Sequence, residues 1–178
     1  FSMYEISTLL MGATPVKVPL KDYAHDLNAM LQAVTPRTKI MYVANPHNPT
    51  GAMNPKAEID AFLAAVPAHV IVVLDEAYCE YATRDDYPDS LEYVKAGKNV
   101  LVLRTFSKIY ALAGLRVGYG ITSCPEMLRA MNQVREPFNV ASLAQYAAIA
   151  SLNDPNQVSR SRQANAEGAA YLYGEFRR

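Results

Sequence analysis

Apolar residues recur along the chain in two rhythms. Asp26 to Val34 carries Leu27, Met30, Leu31 and Val34, the spacing of a helix with one buried face. Asn54 reads as the cap of a helix with Pro55 at its first position, running to about Val66. Pro125 opens a helix reaching about Arg135, and Ser142 to Leu152 is alanine-rich and helical. Asp154, Pro155 and Gln157 have the form of an N-cap, a first-turn proline and a capping-box partner. They introduce a last helix through Tyr171 and Phe176. Between these lie short apolar runs: the β-branched stretch Ala13 to Leu20, then Lys39 to Ala44, His69 to Leu74, Val100 to Leu103 and Leu115 to Ile121. Near-continuous apolar strands separated by helical segments predict an α/β fold of three layers, α/β/α, around a mostly parallel sheet. After about residue 123 the strand pattern stops and helices take over.

Composition narrows the function classes. The chain has 178 residues, 51% of them apolar, which is the size of one domain with a sizeable core. Lys plus Arg and Asp plus Glu are 17 each, so no basic excess exists to hold a nucleic-acid backbone. No apolar run is long enough to span a membrane. Cys79 and Cys124 show no metal-ligand spacing and no disulfide framework, so a reducing compartment, the cytoplasm, is expected. The chain opens on Phe1 without a signal-like stretch and closes on Arg178 inside a helical pattern, as expected of a segment of a longer protein.

In open α/β sheets ligands bind beyond the carboxyl ends of the strands, so the residues after each run carry the chemistry. Lys39–Ala44 is followed by Asn45-Pro46-His47-Asn48-Pro49-Thr50-Gly51, His69–Leu74 by Asp75-Glu76-Ala77-Tyr78, and Val100–Leu103 by Arg104-Thr105-Phe106-Ser107-Lys108. Taken alone, the first is a turn, Asp75 a loop cap and Lys108 a surface charge. Together they place amide, carboxylate, phenol, hydroxyl and amine groups on one rim.

These segments, with Arg116 eight residues after Lys108, resemble the fold-type I pyridoxal-phosphate aminotransferases, class I/II. Within that superfamily the stretch from Ser107 to Tyr119 and the run Arg135-Glu136-Pro137-Phe138-Asn139-Val140 most resemble the histidinol-phosphate aminotransferase family. The resemblance covers essentially the whole chain and implies the large, cofactor-binding domain. It implies that Lys108 bonds covalently to pyridoxal 5'-phosphate and returns as a general base. Asp75 would hold the proton on the cofactor's ring nitrogen, and Tyr78 and Asn48 would donate to its ring oxygen. Thr105, Ser107 and Arg116 would hold the phosphate, and Phe1 would stack on the ring. Tyr4 is placed near substrate or in the core. His47 replaces an asparagine common between the two motif prolines. His25 and His69 have no catalytic role in this reading, and Cys79 is a small buried apolar group.

The implied reaction moves an amino group between histidinol phosphate or imidazole acetol phosphate and glutamate or 2-oxoglutarate, in a cytoplasmic homodimer. The partners are then a small-molecule amino donor and a 2-oxo acid, with no nucleic acid and no membrane. An aromatic amino-acid aminotransferase, a related decarboxylase and a non-catalytic cofactor-sensing domain share the same motifs. The family's upstream glycine-rich phosphate loop, its tyrosine donated across the dimer and its downstream small domain have no counterpart in these residues.

Overall fold

A computed structural model describes residues 1–177. In chain order the elements are α1 (Ser2–Leu10), β1 (Leu20–Lys21), β2 (Ala24–His25), α2 (Leu27–Gln32), β3 (Ile40–Ala44), α3 (Lys56–Ala65), β4 (Ile71–Asp75), α4 (Ser90–Lys95), β5 (Val100–Thr105), β6 (Gly118–Ile121), α5 (Pro125–Val134), α6 (Ser142–Asn153) and α7 (Gln157–Glu175). The chain divides into two compact units. One comprises Phe1–Arg104 and Gly120–Val134, the other Thr105–Tyr119 and the chain from Arg135 onward.

The sheet has the order β3-β4-β5-β6. β3, β4 and β5 are parallel, with Ala44 opposite Asp75 and Asp75 opposite Leu103. This is the mixed α/β fold with a mostly parallel sheet that the apolar runs predict. Alternation along the strands sends Met41, Val43, Val72, Leu74, Val100 and Val102 into one core, packed with Leu27 from α2, Ile59, Phe62 and Leu63 from α3, and Tyr93 and Val94 from α4. Val73 is buried as well, which fits the demand of a parallel sheet for cover on both faces. A Cβ on Gly120 would meet Leu101 Cδ1 at 3.1 Å, so β6 approaches β5 here more closely than a side chain allows.

Several boundaries differ from the sequence expectation. Within Ala13–Leu20 only Leu20 joins a strand, the first of the β1–β2 hairpin. That hairpin turns on Asp22 and Tyr23, both at positive φ, as a two-residue primed turn requires. Asn54 does not cap α3: Pro55 takes the cap position, and the Asn54 amide donates to Glu58 Oε2 at 2.9 Å instead of accepting a helix N–H. β4 and β5 run past their apolar stretches to Asp75 and Thr105 because the ladder continues there. β6 starts at Gly118, since Ala113–Leu115 form a 3-10 turn and Arg116 is left-handed. α1 and α4 lie outside the sequence expectations. α1 buries none of its residues, and α4 is only six residues long, capped by Asp89 accepting from Leu91 N–H at 3.0 Å.

In the second unit α6 buries Ala144 and Ala148, one helical turn apart. α7 begins two residues later than the capping-box pattern indicates. Asp154 Oδ1 accepts from Asn156 N–H at 2.9 Å in a turn ahead of the helix, and its Oδ2 pairs with Arg160 at 2.7 Å. Among the described residues no helix is long and apolar enough to cross a membrane.

Candidate active site

In the first unit the parallel register aligns the ends of β3 and β4. Asp75 is the last residue of β4, and its backbone carbonyl accepts from Asn45 N–H at 2.9 Å. Its half-buried carboxylate is held at both oxygens: Oδ1 accepts from Ala77 N–H at 3.0 Å and Oδ2 from the Tyr4 hydroxyl at 2.6 Å. Two donors orient the carboxylate. Tyr4 lies on α1, stacked on Tyr42 of β3 at 4.5 Å between centroids, with Phe1 edge-on at 5.4 Å. Burial, then the Asp75 carboxylate, push the Tyr4 phenol well above its usual pKa, so it acts as a fixed donor. Tyr4 therefore belongs to Asp75, a role between the substrate and core readings of the sequence. Asn48 Nδ2 lies 3.4 Å from the Tyr78 hydroxyl, so these two expected donors meet, while Phe1 is 53% exposed.

Polar bonds hold the loop that carries Asn48. The buried Asn45 side chain bridges both backbone groups of Asn54, Nδ2 donating to its carbonyl at 3.0 Å and Oδ1 accepting its N–H at 2.9 Å. The Asn45–Pro46 and Asn48–Pro49 peptide bonds are both cis. His47 is buried, with Nδ1 2.9 Å from Thr50 Oγ1. Thr50 donates its hydroxyl hydrogen to Tyr23 O at 2.7 Å, so His47 Nδ1 must carry the hydrogen of its own contact. His25 stands edge-on to His47 at 5.0 Å and accepts Ala44 N–H on Nε2 at 3.1 Å, so it is neutral with its proton on Nδ1.

Burial, then His47, lowers the His25 pKa from 6.5 to about 4. The unfolded chain takes up this proton near pH 6.5 and the folded chain resists until about 4. The contribution of His25 to stability is thus full above pH 6.5 and lost as the pH falls through about 4. The shift is equivalent to at most about 3 kcal/mol, less for a ring that is partly solvated. Thermal midpoints measured across that range should fall with pH, and His25→Gln, which keeps an acceptor for Ala44, should flatten the fall. An unchanged slope in the variant would assign the titration to other groups.

The second unit holds the remaining expected residues. Thr105 Oγ1 donates to Val117 O at 3.2 Å and accepts from Ser107 N–H at 3.0 Å, forming a tight turn that leads into Lys108. Lys108 is exposed and its carbonyl accepts from Ala111 N–H at 2.9 Å. The next residue, Ile109, is fully buried, and α7 grips its carbonyl: Gln157 Nε2 donates at 2.9 Å and Ser161 Oγ at 2.7 Å. Gln157 therefore holds the lysine segment rather than completing a capping box. Ala111 and Arg116 both sit at positive φ, a strained conformation for residues with a Cβ that concentrates at functional sites. Arg116 is exposed and donates Nη1 to Ala113 O at 2.6 Å.

The structure thus brings Asp75, Tyr78, Asn48 and Phe1 into one unit, and Thr105, Ser107, Lys108 and Arg116 into the other. Tyr4, Gln157 and Ser161 are supporting residues whose partners lie 48 to 71 positions away, which no local motif signals. Cys79 is half-buried, and burial raises its thiol pKa, in keeping with an inert side chain. His69 lies at the surface, 3.4 Å from Thr35 O.

The mixed α/β fold with a mostly parallel four-stranded sheet matches that of pyridoxal-phosphate transferases. The chain belongs to the aminotransferase class I and II family, whose model matches residues 1–178. It is 55% identical over 177 residues to histidinol-phosphate aminotransferase of Moorella thermoacetica, covering 99% of this chain and 46% of that protein. It is 51% identical over 178 residues to histidinol-phosphate aminotransferase 2 of Ralstonia nicotianae, covering 100% of this chain and 47% of that one. The crystal structure of histidinol-phosphate aminotransferase from Sinorhizobium meliloti in complex with pyridoxal-5'-phosphate superposes with a TM-score of 0.86 at 35% identity, covering 94% of this chain and 45% of that chain. The chain spans about half the length of the curated relatives it matches.

Proposed function

We propose that this chain is part of the cofactor-binding large domain of a pyridoxal-phosphate-dependent transaminase. Its reaction moves an amino group between histidinol phosphate or imidazole acetol phosphate and glutamate or 2-oxoglutarate, in histidine biosynthesis. The observation that carries the reading is the Asp75 carboxylate at the end of β4, fixed at both oxygens by Tyr4 and Ala77. The names of relatives at 55% and 51% identity support the substrate.

The residues present fit the cofactor. Asp75 is an oriented anion suited to a protonated ring nitrogen, and Tyr78 and Asn48 offer adjacent donors for a ring oxygen. Thr105, Ser107 and Arg116 offer hydroxyls and a guanidinium fork suited to a phosphate. When bound, pyridoxal phosphate would supply an electron sink for the pair left when the substrate's Cα–H bond breaks. Lys108 would anchor the cofactor and would carry the proton at Nζ after the substrate carbon gives it up. Asp75, oriented by Tyr4 and Ala77, would face the ring proton and hold it in place.

With Arg116→Ala, cofactor affinity should fall at least about 30-fold, equivalent to about 2 kcal/mol. Arg116→Lys should restore it only in part, because a point charge cannot make a forked contact. A fluorescence titration with unchanged affinity in Arg116→Ala would remove the residue from the phosphate site.

The reading places the enzyme in the cytoplasm as a homodimer. Its cysteines are unpaired, which suits a reducing compartment, and the dimer follows from the family resemblance. Sedimentation of the full-length protein at assay concentration should give the dimer mass. The decisive assay offers the full-length, cofactor-loaded enzyme histidinol phosphate or phenylalanine, each with 2-oxoglutarate. Glutamate should form much faster from histidinol phosphate. A preference for phenylalanine, or release of carbon dioxide, would replace the reading.

A further inference from the structure

Glu76 follows Asp75 directly and is 2% exposed, the most deeply buried carboxylate among the described residues. Its N–H donates to Leu103 O at 2.9 Å, extending the β4–β5 ladder one step beyond the Asp75–Leu103 pair. Its side chain meets Arg104, the next residue of β5. Arg104 Nε and Nη2 both lie 2.8 Å from the same oxygen, Glu76 Oε2. Ser90 stands near enough to favour the charged form of Glu76, yet Oε1 has no hydrogen-bond partner. Burial pushes the Glu76 pKa up, and the Arg104 guanidinium opposes that.

This arrangement is poorly explained as a stabilising contact. A buried ion pair is generally no better than an apolar pair of the same volume, and an orphaned buried oxygen makes it worse. The pair does, however, define a position. Asp75 O is tied to Asn45 N–H on the β3 side, while Glu76 is tied to β5 through both main chain and side chain. The peptide from which the Asp75 carboxylate projects is therefore fixed from two strands and by a directional two-donor fork.

We propose that Glu76 and Arg104 are positioning residues that set the placement of the Asp75 carboxylate for the ring nitrogen of a bound pyridine cofactor, an inference that rests on the function proposed above.

The test uses the full-length, cofactor-loaded protein and compares Glu76→Gln, Arg104→Lys and the double variant Glu76→Leu/Arg104→Met. Three quantities are read: the thermal midpoint without cofactor, the visible circular dichroism of bound pyridoxal phosphate, and turnover at saturating cofactor. Glu76→Gln removes the buried anion that faces the half-buried Arg104 guanidinium and should lower the thermal midpoint. The double variant replaces the pair with apolar groups and should regain most of that midpoint. It should still show a weakened dichroic band and turnover at least tenfold below wild type. Arg104→Lys keeps the charge without the fork and should lose turnover with little loss of midpoint, and it decides the matter should the double variant not fold. A wild-type band and turnover in the double variant, or in Arg104→Lys in that event, would reduce the pair to a fold-stabilising contact. Wild-type protein that shows no dichroic band and no amino transfer would instead remove the proposed function.

Discussion

Lys108→Ala should leave the fold intact and abolish amino transfer. The side chain is exposed, so its removal creates no cavity, and the thermal midpoint of the full-length protein should shift little. The segment keeps the anchors that Gln157 and Ser161 provide at the neighbouring Ile109 carbonyl. Chemistry should suffer at two points. On the function proposed above, the variant would lose the covalent hold on the cofactor and the base that moves the proton, a role worth about 10²–10⁴-fold by itself. A combined loss of at least about 10⁴-fold is expected in single-turnover amino transfer. Borohydride reduction of the loaded wild-type enzyme should fix the cofactor on the peptide containing Lys108. Label on another lysine, such as Lys98, would overturn the assignment.

Asp75→Asn should slow turnover by about a thousandfold or more while changing cofactor affinity far less. Opposite unit charges about 3 Å apart at an effective dielectric near 20 attract by roughly 5 kcal/mol. That equals about four pKa units at the ring nitrogen, enough to keep a weakly basic pyridine protonated at neutral pH. If most of that attraction acts in the transition state, its loss accounts for the rate. The structure adds a local effect. An amide cannot accept at both ends, so Asp75→Asn must also give up either the Tyr4 or the Ala77 hydrogen bond, worth about 1 kcal/mol. Tyr4→Phe separates the two effects, because it removes the phenol donor and leaves the charge. It should cost less than about tenfold. Single-turnover rates at saturating cofactor measure both variants. A loss below about tenfold in Asp75→Asn would make the residue a loop cap and nothing more.

Much of the architecture could be read from the chain because its strands are short, β-branched and almost wholly apolar. Three of the five apolar runs became parallel strands of one sheet, and the polar residues expected just beyond them are where those strands end. Helix starts were less legible. Asn54 and Gln157 have the composition of capping residues, yet each side chain has a distant partner: Asn54 reaches His25 O at 2.9 Å and Gln157 reaches Ile109 O. A cap motif is local, and tertiary hydrogen bonds override it without altering the sequence pattern. α1 escaped notice for a related reason: it buries no residue, so its apolar positions do not stand out as a core face. The residues resembling cofactor ligands were legible as types and spacings. Their supports, Tyr4 on Asp75 and Glu76 on Arg104, were not, because pairing across strands and helices leaves no periodic trace.

The grip of α7 on the Ile109 carbonyl also sets an order of events during synthesis. Lys108 leaves the ribosome well before its anchors, since Gln157 and Ser161 follow Ile109 by 48 and 52 residues. At about 5–20 residues per second, the ribosome makes the lysine segment wait roughly 2–10 s for the helix that holds it. A nascent chain arrested before α7 would present the Lys108 turn without the two donors that hold the Ile109 carbonyl. On the function proposed above, the Lys108 segment reaches its held form only once α7 has been made.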